Sequence, residues 1–338
     1  QSELTSRALT HLLVDPDRRR AGTATTQDVL FIDLMRKFVP EARCFELRGA
    51  SGALHRFIDF GPVNGRPAAF VHSQILPDIR PADIALLHEQ RIRLIAPLRN
   101  GALSKAGKVL DVAAHLDHAC EGIDLVRTHF AGARLDLLTT VSGCAFGIEY
   151  VRRHAECVRS LALIGAPVRP IDNGTTAGRL RAGLFHLAAG NWSLLSTALD
   201  FNGQRINRPE TFRRLLVNHF RPCPADMAVI HGEYAAPHGG ERGRKLFAAS
   251  MDSIKHDFLH QALPRWQNLP GGRFPVAFLH GEQDFIHPIA GVRALARDLG
   301  HLPVHSIPGA GQLLYYQHFE PLLAAYSAFL AQISPAGA

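Results

Sequence analysis

The fold of this chain is decided between residues 135 and 164, where the sequence reads LDLLTTVSGCAFGIEYVRRHAECVRSLALI. The apolar runs at 135–141 and 158–164 predict two strands, and the segment 143–154 between them predicts a helix. Parallel strands need a crossover connection, which is usually a helix. The stretch therefore predicts a βαβ unit and, with it, an α/β protein.

The same alternation continues on both sides of this unit. Upstream, alternating apolar residues at 44–48 and 54–60 predict an antiparallel hairpin, and the continuous apolar run at 68–72 predicts a strand buried on both faces. The other predicted elements are strands at 92–97, 276–280 and 304–307, and helices at 82–90, 109–130, 290–299 and 320–333. Together they predict a mostly parallel, doubly wound sheet with helices on both faces.

The alternation lapses between about 170 and 265, where helix formers and scattered aromatic residues predict a helical cap inserted into the sheet domain. A chain of 338 residues is long enough for a core and a cap. We therefore divide it into a helical linker or dimer segment at 1–43, a core at 44–169 and 266–338, and a cap at 170–265.

Composition narrows the classes of partner. The net charge of +7 is spread along the chain, with Arg18-Arg19-Arg20 as the one short cluster, so this segment itself is not expected to bind nucleic acid. No apolar run reaches the roughly 18 residues of a membrane span. Five widely spaced cysteines without a CxxC pair favour a reduced, cytoplasmic compartment and indicate neither a metal site nor a cofactor. The chain begins with Gln1, which fits a processed form or a fragment.

Three segments together resemble the α/β-hydrolase family. They are FVHS at 70–73, the strand–turn–helix–strand at 135–164, and GEQD at 281–284 followed by Pro288 and by IPGAG at 307–311. The third segment is the most specific, because both its spacing and its order fit. The likeness covers about residues 45–335 and implies the α/β-hydrolase fold with a helical cap.

The resemblance also implies where a nucleophile would lie, since the family carries it in a Gly-x-Ser-x-Gly turn between a strand and a helix. The register without gaps places this turn on Thr139-Thr140-Val141-Ser142-Gly143, with Val141 at the nucleophile position. A slip of one residue would make Ser142 the nucleophile, and a register centred on Ala145 would offer none. We favour Val141, whose isopropyl group cannot attack a carbonyl.

A second departure from the family does not depend on that register. The family's general base is a histidine after a Gly-x-Gly near the C-terminus, whereas Gly309-Ala310-Gly311 is followed here by Gln312. An amide is not a base at neutral pH. Asp284 is then the one triad position that keeps its residue type. We expect no catalytic residues, with Ser142 as the fallback nucleophile.

A binding crevice is still expected at the carboxyl ends of the strands, under the cap. Backbone N–H groups of Ser73 and Ser142 could receive a carbonyl or carboxylate there. The candidate ligand-binding residues are His72, Ser73, Gln74, Val141, Ser142, Asp284, Phe285 and Gln312. For His72, a role as an anchor of its own loop is an equal alternative, and for Asp284 a structural role is favoured.

Short runs also suggest a biological context. GPVNGRP at 61–67, RLIAP at 93–97 and QSEL at 1–4 resemble the hydrolase-like effector domains of LuxR-type helix-turn-helix regulators. The resemblance implies a cytoplasmic, non-catalytic sensor of a small molecule, which binds DNA through a module absent from this chain and has a homodimer as its candidate assembly. The alternatives are a divergent ester, lactone or amide hydrolase that uses Ser142, and an interaction scaffold with a vestigial pocket.

Overall fold

A computed structural model describes residues 42–73, 79–99, 112–168, 209–232, 266–269 and 272–333. It also describes nine separate helical positions, which are Thr176, Arg179, Leu180, Gly183, Thr197, Ile254, His256, Asp257 and His260. Most of the helical segment expected at 1–43 and most of the expected cap lie outside the described residues. The domain bounds therefore stay predictions.

One sheet of eight strands organises the described part of the chain. The strands are β1 Arg43–Arg48, β2 Leu54–Phe60, β3 Arg66–Val71, β4 Ile92–Pro97, β5 Leu135–Thr140, β6 Val158–Ile164, β7 Val276–Gly281 and β8 Val304–Ile307. Their order is β1-β2-β4-β3-β5-β6-β7-β8. The pairs β1–β2 and β2–β4 are antiparallel and the others are parallel. The predicted hairpin and the mostly parallel sheet are confirmed.

Helices cover both faces of this sheet. They are α1 Pro81–Glu89, α2 Val112–Val126, α3 Gly143–Arg153, α4 Pro209–Phe220, α5 Pro224–His231, α6 Ile289–Asp298, α7 Leu314–Gln317 and α8 Phe319–Ile333. A π-helical turn at Arg127–Ala131 extends α2. The four residues of α7 were not predicted, because so short a helix shows no period. None of the helices in the described ranges combines the length and apolar character that a bilayer crossing needs.

Two apolar clusters lie on opposite faces of the sheet. One joins it to α1 and α8 through residues such as Leu87 and Phe329, and the other joins it to α2 and α3 through Ile123 and Phe146. Every residue of β4, β5 and β7 is buried, which explains why apolar residues predominate in them. Each large side chain buried in this way contributes about 1.5–3 kcal/mol. The sheet is therefore a rigid base for the loops at its carboxyl edge.

Candidate functional site

The turn between β5 and α3 is centred on Val141. This residue has a φ of 45°, in the left-handed region, whereas Ser142 has helical angles with a φ of −62°. A β-branched residue held in that region costs on the order of 1–3 kcal/mol. The Val141 amide donates to the carbonyl of Ile164 on the neighbouring strand over 2.9 Å. The strained position of the turn is therefore occupied by Val141.

Glycines on α3 let this turn pack closely. A Cβ on Gly143 would lie 2.0 Å from the carbonyl oxygen of Val71 and 2.7 Å from that of His72. A Cβ on Gly147 would lie 2.4 Å from Cγ2 of Thr139. Thr139 stands where the family pattern has a glycine, and the missing side chain at Gly147 makes room for its methyl group. The first turn of α3 is therefore seated directly on the end of β3.

Ser142 is buried, and its hydroxyl donates to Oδ2 of Asp257 over 2.8 Å. The same oxygen accepts Nη2 of Arg99 over 2.7 Å. The Arg99 guanidinium carbon also lies 4.4 Å from the centre of the Phe146 ring. Burial raises the pKa of Asp257, while the Arg99 charge and the two hydrogen bonds oppose this rise. Ser142 is thus hydrogen-bonded to a carboxylate and not to a histidine.

His72 lies just beyond β3 and is held by its own loop. Its Nδ1–H donates to the carbonyl of Ser73 over 2.5 Å, and its carbonyl accepts a hydrogen bond from Nη1 of Arg99. Burial, followed by the nearby Arg99 charge, lowers the pKa of His72 to about 3, so the ring is neutral. The backbone of Pro97 is a second hydrogen-bonding neighbour of the ring. Ser73 is half-buried, and Gln74 lies outside the described residues.

Asp284 is buried at the end of β7 and caps its own loop. Its Oδ1 accepts the backbone N–H groups of Ile286 over 2.9 Å and His287 over 2.8 Å. Burial raises the pKa of Asp284 to about 7, the bonds to the backbone lower it, and the nearby Asp226 carboxylate raises it. The hydrogen bonds agree with the structural role expected for Asp284, which in the described residues makes none to the Gln312 side chain.

Gln312 is tied to the expected cap region through its backbone. Asp226 on α5 accepts the N–H of Gln312 over 3.0 Å and the N–H of Leu313 over 2.7 Å. A Cβ on Gly311 would lie 2.4 Å from Asp226 Oδ2, so this glycine makes room for the carboxylate. The side-chain Oε1 of Gln312 is buried, and among the described residues it has no hydrogen-bond partner. It is thus an unsatisfied acceptor within the described residues.

The predicted site residues fall into two groups. His72 and Ser142 are linked through Arg99 and Asp257, whereas Asp284 and Gln312 both lie beside Asp226. Gly165 lies between the two groups. A Cβ built on it would lie 3.5 Å from Cγ2 of Val141, next to Ser142, and 3.7 Å from Cδ2 of Leu314, two residues after Gln312. Phe285 packs against an apolar cluster formed by α4, α5 and the following loop residues, which include Phe220, Ile230 and Ile286.

The sequence interpretation missed Arg99, Asp226 and Asp257. Each forms hydrogen bonds with residues far away in the chain, and Arg99 and Asp257 are 158 positions apart. No local sequence pattern therefore indicates these pairs. It also missed a cluster formed by His115, His256 and His260, whose ring nitrogens lie within 4.8 Å of one another. The spacing of four between His256 and His260 was an available signal, since it places both on one helix face.

Comparison with known proteins supports the fold through structure alone. No protein-family model and no curated protein matches the chain by sequence. The chain is similar to an esterase from Thermogutta terrifontis, with a TM-score of 0.59 and 19% identity over 86% of this chain and 99% of the esterase. It is also similar to the epoxide hydrolase VrEH1 from Vigna radiata, with a TM-score of 0.59 and 15% identity over 87% and 99%.

A third similar structure is the 2-hydroxy-6-oxo-6-phenylhexa-2,4-dienoate hydrolase of a Rhodococcus species. The TM-score is 0.56 and the identity 13%, over 86% of this chain and 99% of that one. At such identities the likeness concerns the fold and not the reaction. The strand order, the helices on both faces and these neighbours agree, and this chain has the α/β-hydrolase fold.

Proposed function

We propose that this chain is a non-catalytic α/β-hydrolase-fold domain that binds a small molecule in the crevice beside Val141 and Gln312. The observation that carries the proposal is the φ of 45° at Val141. The backbone keeps a strained turn at this point, but the side chain on it has no atom that could act as a nucleophile. Strain of this kind is typical of functional sites.

The neighbouring polar groups support binding better than hydrolysis. A serine nucleophile needs a base that takes its proton. The Ser142 hydroxyl faces a carboxylate in place of the family's histidine, and the accepting oxygen also holds the Arg99 guanidinium. The Oδ1 of Asp284 already accepts two backbone N–H groups, and Gln312 offers an amide. No residue pair named here has the geometry of a serine and its histidine.

The class of ligand follows from one buried acceptor. Oε1 of Gln312 is buried and lacks a hydrogen-bond partner within the described part of the chain. Leaving such a group unsatisfied costs about 1–3 kcal/mol. A ligand with hydroxyl or amide N–H donors would recover this free energy. We therefore propose an uncharged small molecule with at least one donor and an apolar part that contacts Val141.

The proposed biological role is that of the sensor domain of a bacterial transcriptional regulator. It rests on the short LuxR-type likeness at 61–67 and 93–97. DNA would be bound by a helix-turn-helix module outside this chain. This part predicts that the natural reading frame encodes such a module ahead of Gln1. A reading frame without one would contradict the regulatory role and leave the binding role intact.

Two measurements test the binding role. A thermal-shift screen of hydroxylated and amide-containing metabolites should find a compound that raises the melting temperature, because it binds the native state alone. Gln312→Met should lower the affinity for that compound by about tenfold, because one hydrogen bond worth roughly 1.4 kcal/mol is lost. Gln283→Met, on an exposed neighbour, is the matched control and should leave the affinity unchanged.

The competing function is hydrolysis with Ser142 as the nucleophile and Asp257 as its base, which the 2.8 Å hydrogen bond between them favours. Turnover of p-nitrophenyl esters and lactones should be measured for the wild type, Ser142→Ala and Ser160→Ala. Ser160 is a fair control because it is another buried serine bonded to a buried aspartate, with 2.6 Å to Asp136. Turnover lost in Ser142→Ala alone would overturn the non-catalytic proposal.

A further inference from the structure

Three buried histidines converge close to Phe146 and Arg99. His115 belongs to α2, and His256 and His260 are helical positions four residues apart, so they share one helix face. Their exposed fractions are 1%, 0% and 4%. Each contributes one ring nitrogen to a set in which all nitrogens lie within 4.8 Å of one another. Such convergence of imidazoles from two separate segments is the donor pattern of a metal site.

His115 gives a second, independent indication. Both of its ring nitrogens are buried and have no hydrogen-bond partner among the described residues. A neutral imidazole carries one N–H donor and one acceptor, so both are left unsatisfied, which is costly inside a protein. The ring packs instead against Phe146, at 5.3 Å between ring centres in a T-shaped arrangement. A metal ion would satisfy at least one of these nitrogens.

We propose that His115, His256 and His260 bind one zinc ion. Zinc takes imidazole nitrogens readily, and sites with three protein ligands leave a fourth position for water or a substrate. This position would be available to an oxygen or nitrogen of a small molecule that enters the crevice. The inference goes beyond the proposed function, since the metal could be bound whether or not the chain is a sensor.

Side-chain rotations would form the site. Zinc–nitrogen distances of about 2.0–2.1 Å in a tetrahedron put ligand nitrogens about 3.3 Å apart, roughly 1.5 Å closer than the outer limit seen here. The His115 and His256 rings lie 4.4 Å apart at 28°, and those of His115 and His260 lie 5.8 Å apart at 11°. Rotation about the side-chain bonds of these rings can turn their nitrogens toward a common point.

The surrounding charge is compatible with a cation. Arg99 lies close enough to His115 to repel positive charge. Its own charge is offset by Asp257, whose Oδ2 lies 2.7 Å from Arg99 Nη2. Asp257 follows His256 directly in the chain, and its Oδ1 has no hydrogen-bond partner in the described ranges. This carboxylate keeps the neighbourhood close to neutral.

The test is metal binding by the purified chain after treatment with EDTA. We expect one equivalent of Zn²⁺ to remain after gel filtration and to raise the melting temperature. Co²⁺ should give the intense visible absorption of a tetrahedral site. His115→Gln and His260→Gln should each lower Zn²⁺ affinity by about 100-fold or more, because changes in the second shell alone cost 10- to 100-fold. His118→Gln, one turn along α2 and outside the cluster, is the matched control.

Two results would overturn the proposal without reliance on any variant. One is a wild-type chain that retains less than stoichiometric zinc and shows no thermal shift with it. The other is a Co²⁺ spectrum of octahedral, oxygen-ligated type. Equal zinc affinity in the wild type and in a folded His115→Gln variant would also contradict it. The screen for organic ligands, run in EDTA, reports on the proposed function separately.

Discussion

The Ser142 hydroxyl and the Arg99 guanidinium share one oxygen of Asp257, at 2.8 Å and 2.7 Å. Arg99 also donates to the carbonyl of His72 at the end of β3. Since Gly143 is seated against the same carbonyl, these residues form a closed ring of contacts from β3 to α3 and back. Asp257, in the expected cap region, is the member of this ring that comes from outside the sheet domain.

Removing Asp257 should therefore cost more than removing the Ser142 hydroxyl. Asp257→Ala leaves the buried Arg99 charge unpaired, which costs about 3–5 kcal/mol. Ser142→Ala loses one hydrogen bond to a charged group, about 1.5–3 kcal/mol. Urea unfolding in EDTA measures both free energies of unfolding. If Ser142→Ala proved the more costly, Arg99 would not depend on Asp257.

Val141→Gly should stabilise the protein by about 0.5–1 kcal/mol. Glycine adopts a positive φ freely, and the relief of about 1–3 kcal/mol exceeds the added chain entropy of the unfolded state. Val304→Gly, at a half-buried valine on β8, is the control and should destabilise by about 1 kcal/mol. A stability loss in Val141→Gly as large as in the control would mean that the turn stores no strain.

Gly143→Ala and Gly291→Ala should change stability in opposite directions. The new Cβ at 143 would lie 2.0 Å from a backbone oxygen of Val71, so we expect a loss of about 1–3 kcal/mol or more. At 291, inside α6, the nearest neighbour is Val168 Cγ1 at 4.0 Å. Alanine at this position should raise the free energy of unfolding by about 0.5–1 kcal/mol, because alanine has the higher helix propensity. Thermal unfolding of both variants decides the comparison.

Asp284 should make stability depend on pH. Burial raises its pKa to about 7 from a usual 3.8, so between these values the folded state keeps a proton that the unfolded state has released. The free energy of unfolding therefore falls as pH rises through this window. Asp284→Asn keeps the Oδ1 acceptor but cannot ionise. The free energy of unfolding of this variant should equal that of the wild type near pH 4 and exceed it by up to about 4 kcal/mol at pH 8.

Chemical unfolding at pH 4, 6 and 8 measures this difference. Asp298→Asn, at an exposed carboxylate on α6, controls for the loss of one charge. A stability gap between Asp284→Asn and wild type that stays constant over this range would show that Asp284 ionises as freely in the folded protein as in the unfolded chain.

The inner strands of the sheet were predictable because they are buried. The bounds of β4 and β6 agree with the apolar runs at 92–97 and 158–164, and nearly all residues of both strands are buried. Such runs arise where both faces of a parallel sheet are covered, so composition alone marks them. The turn at Val141 was also predictable, since the register without gaps places it between the strand at 135–141 and the helix at 143–154.

The polar partners of the site were not predictable in the same way. Asp226 looks like an ordinary acidic residue in the first turn of α5, yet it binds the backbone 86 residues away. Arg99 follows a strand end and resembles an exposed loop residue, but it is 4% exposed. Long-range hydrogen bonds leave no periodic pattern in a sequence. They depend on how the cap region folds back on the sheet.

The carboxylate of Asp257 also joins two hydrogen bonds beside the turn at Val141. Both of them, from Ser142 and from Arg99, end on the same oxygen. A displacement of this oxygen therefore weakens both, and a ligand that displaced it would have to offset their combined free energy.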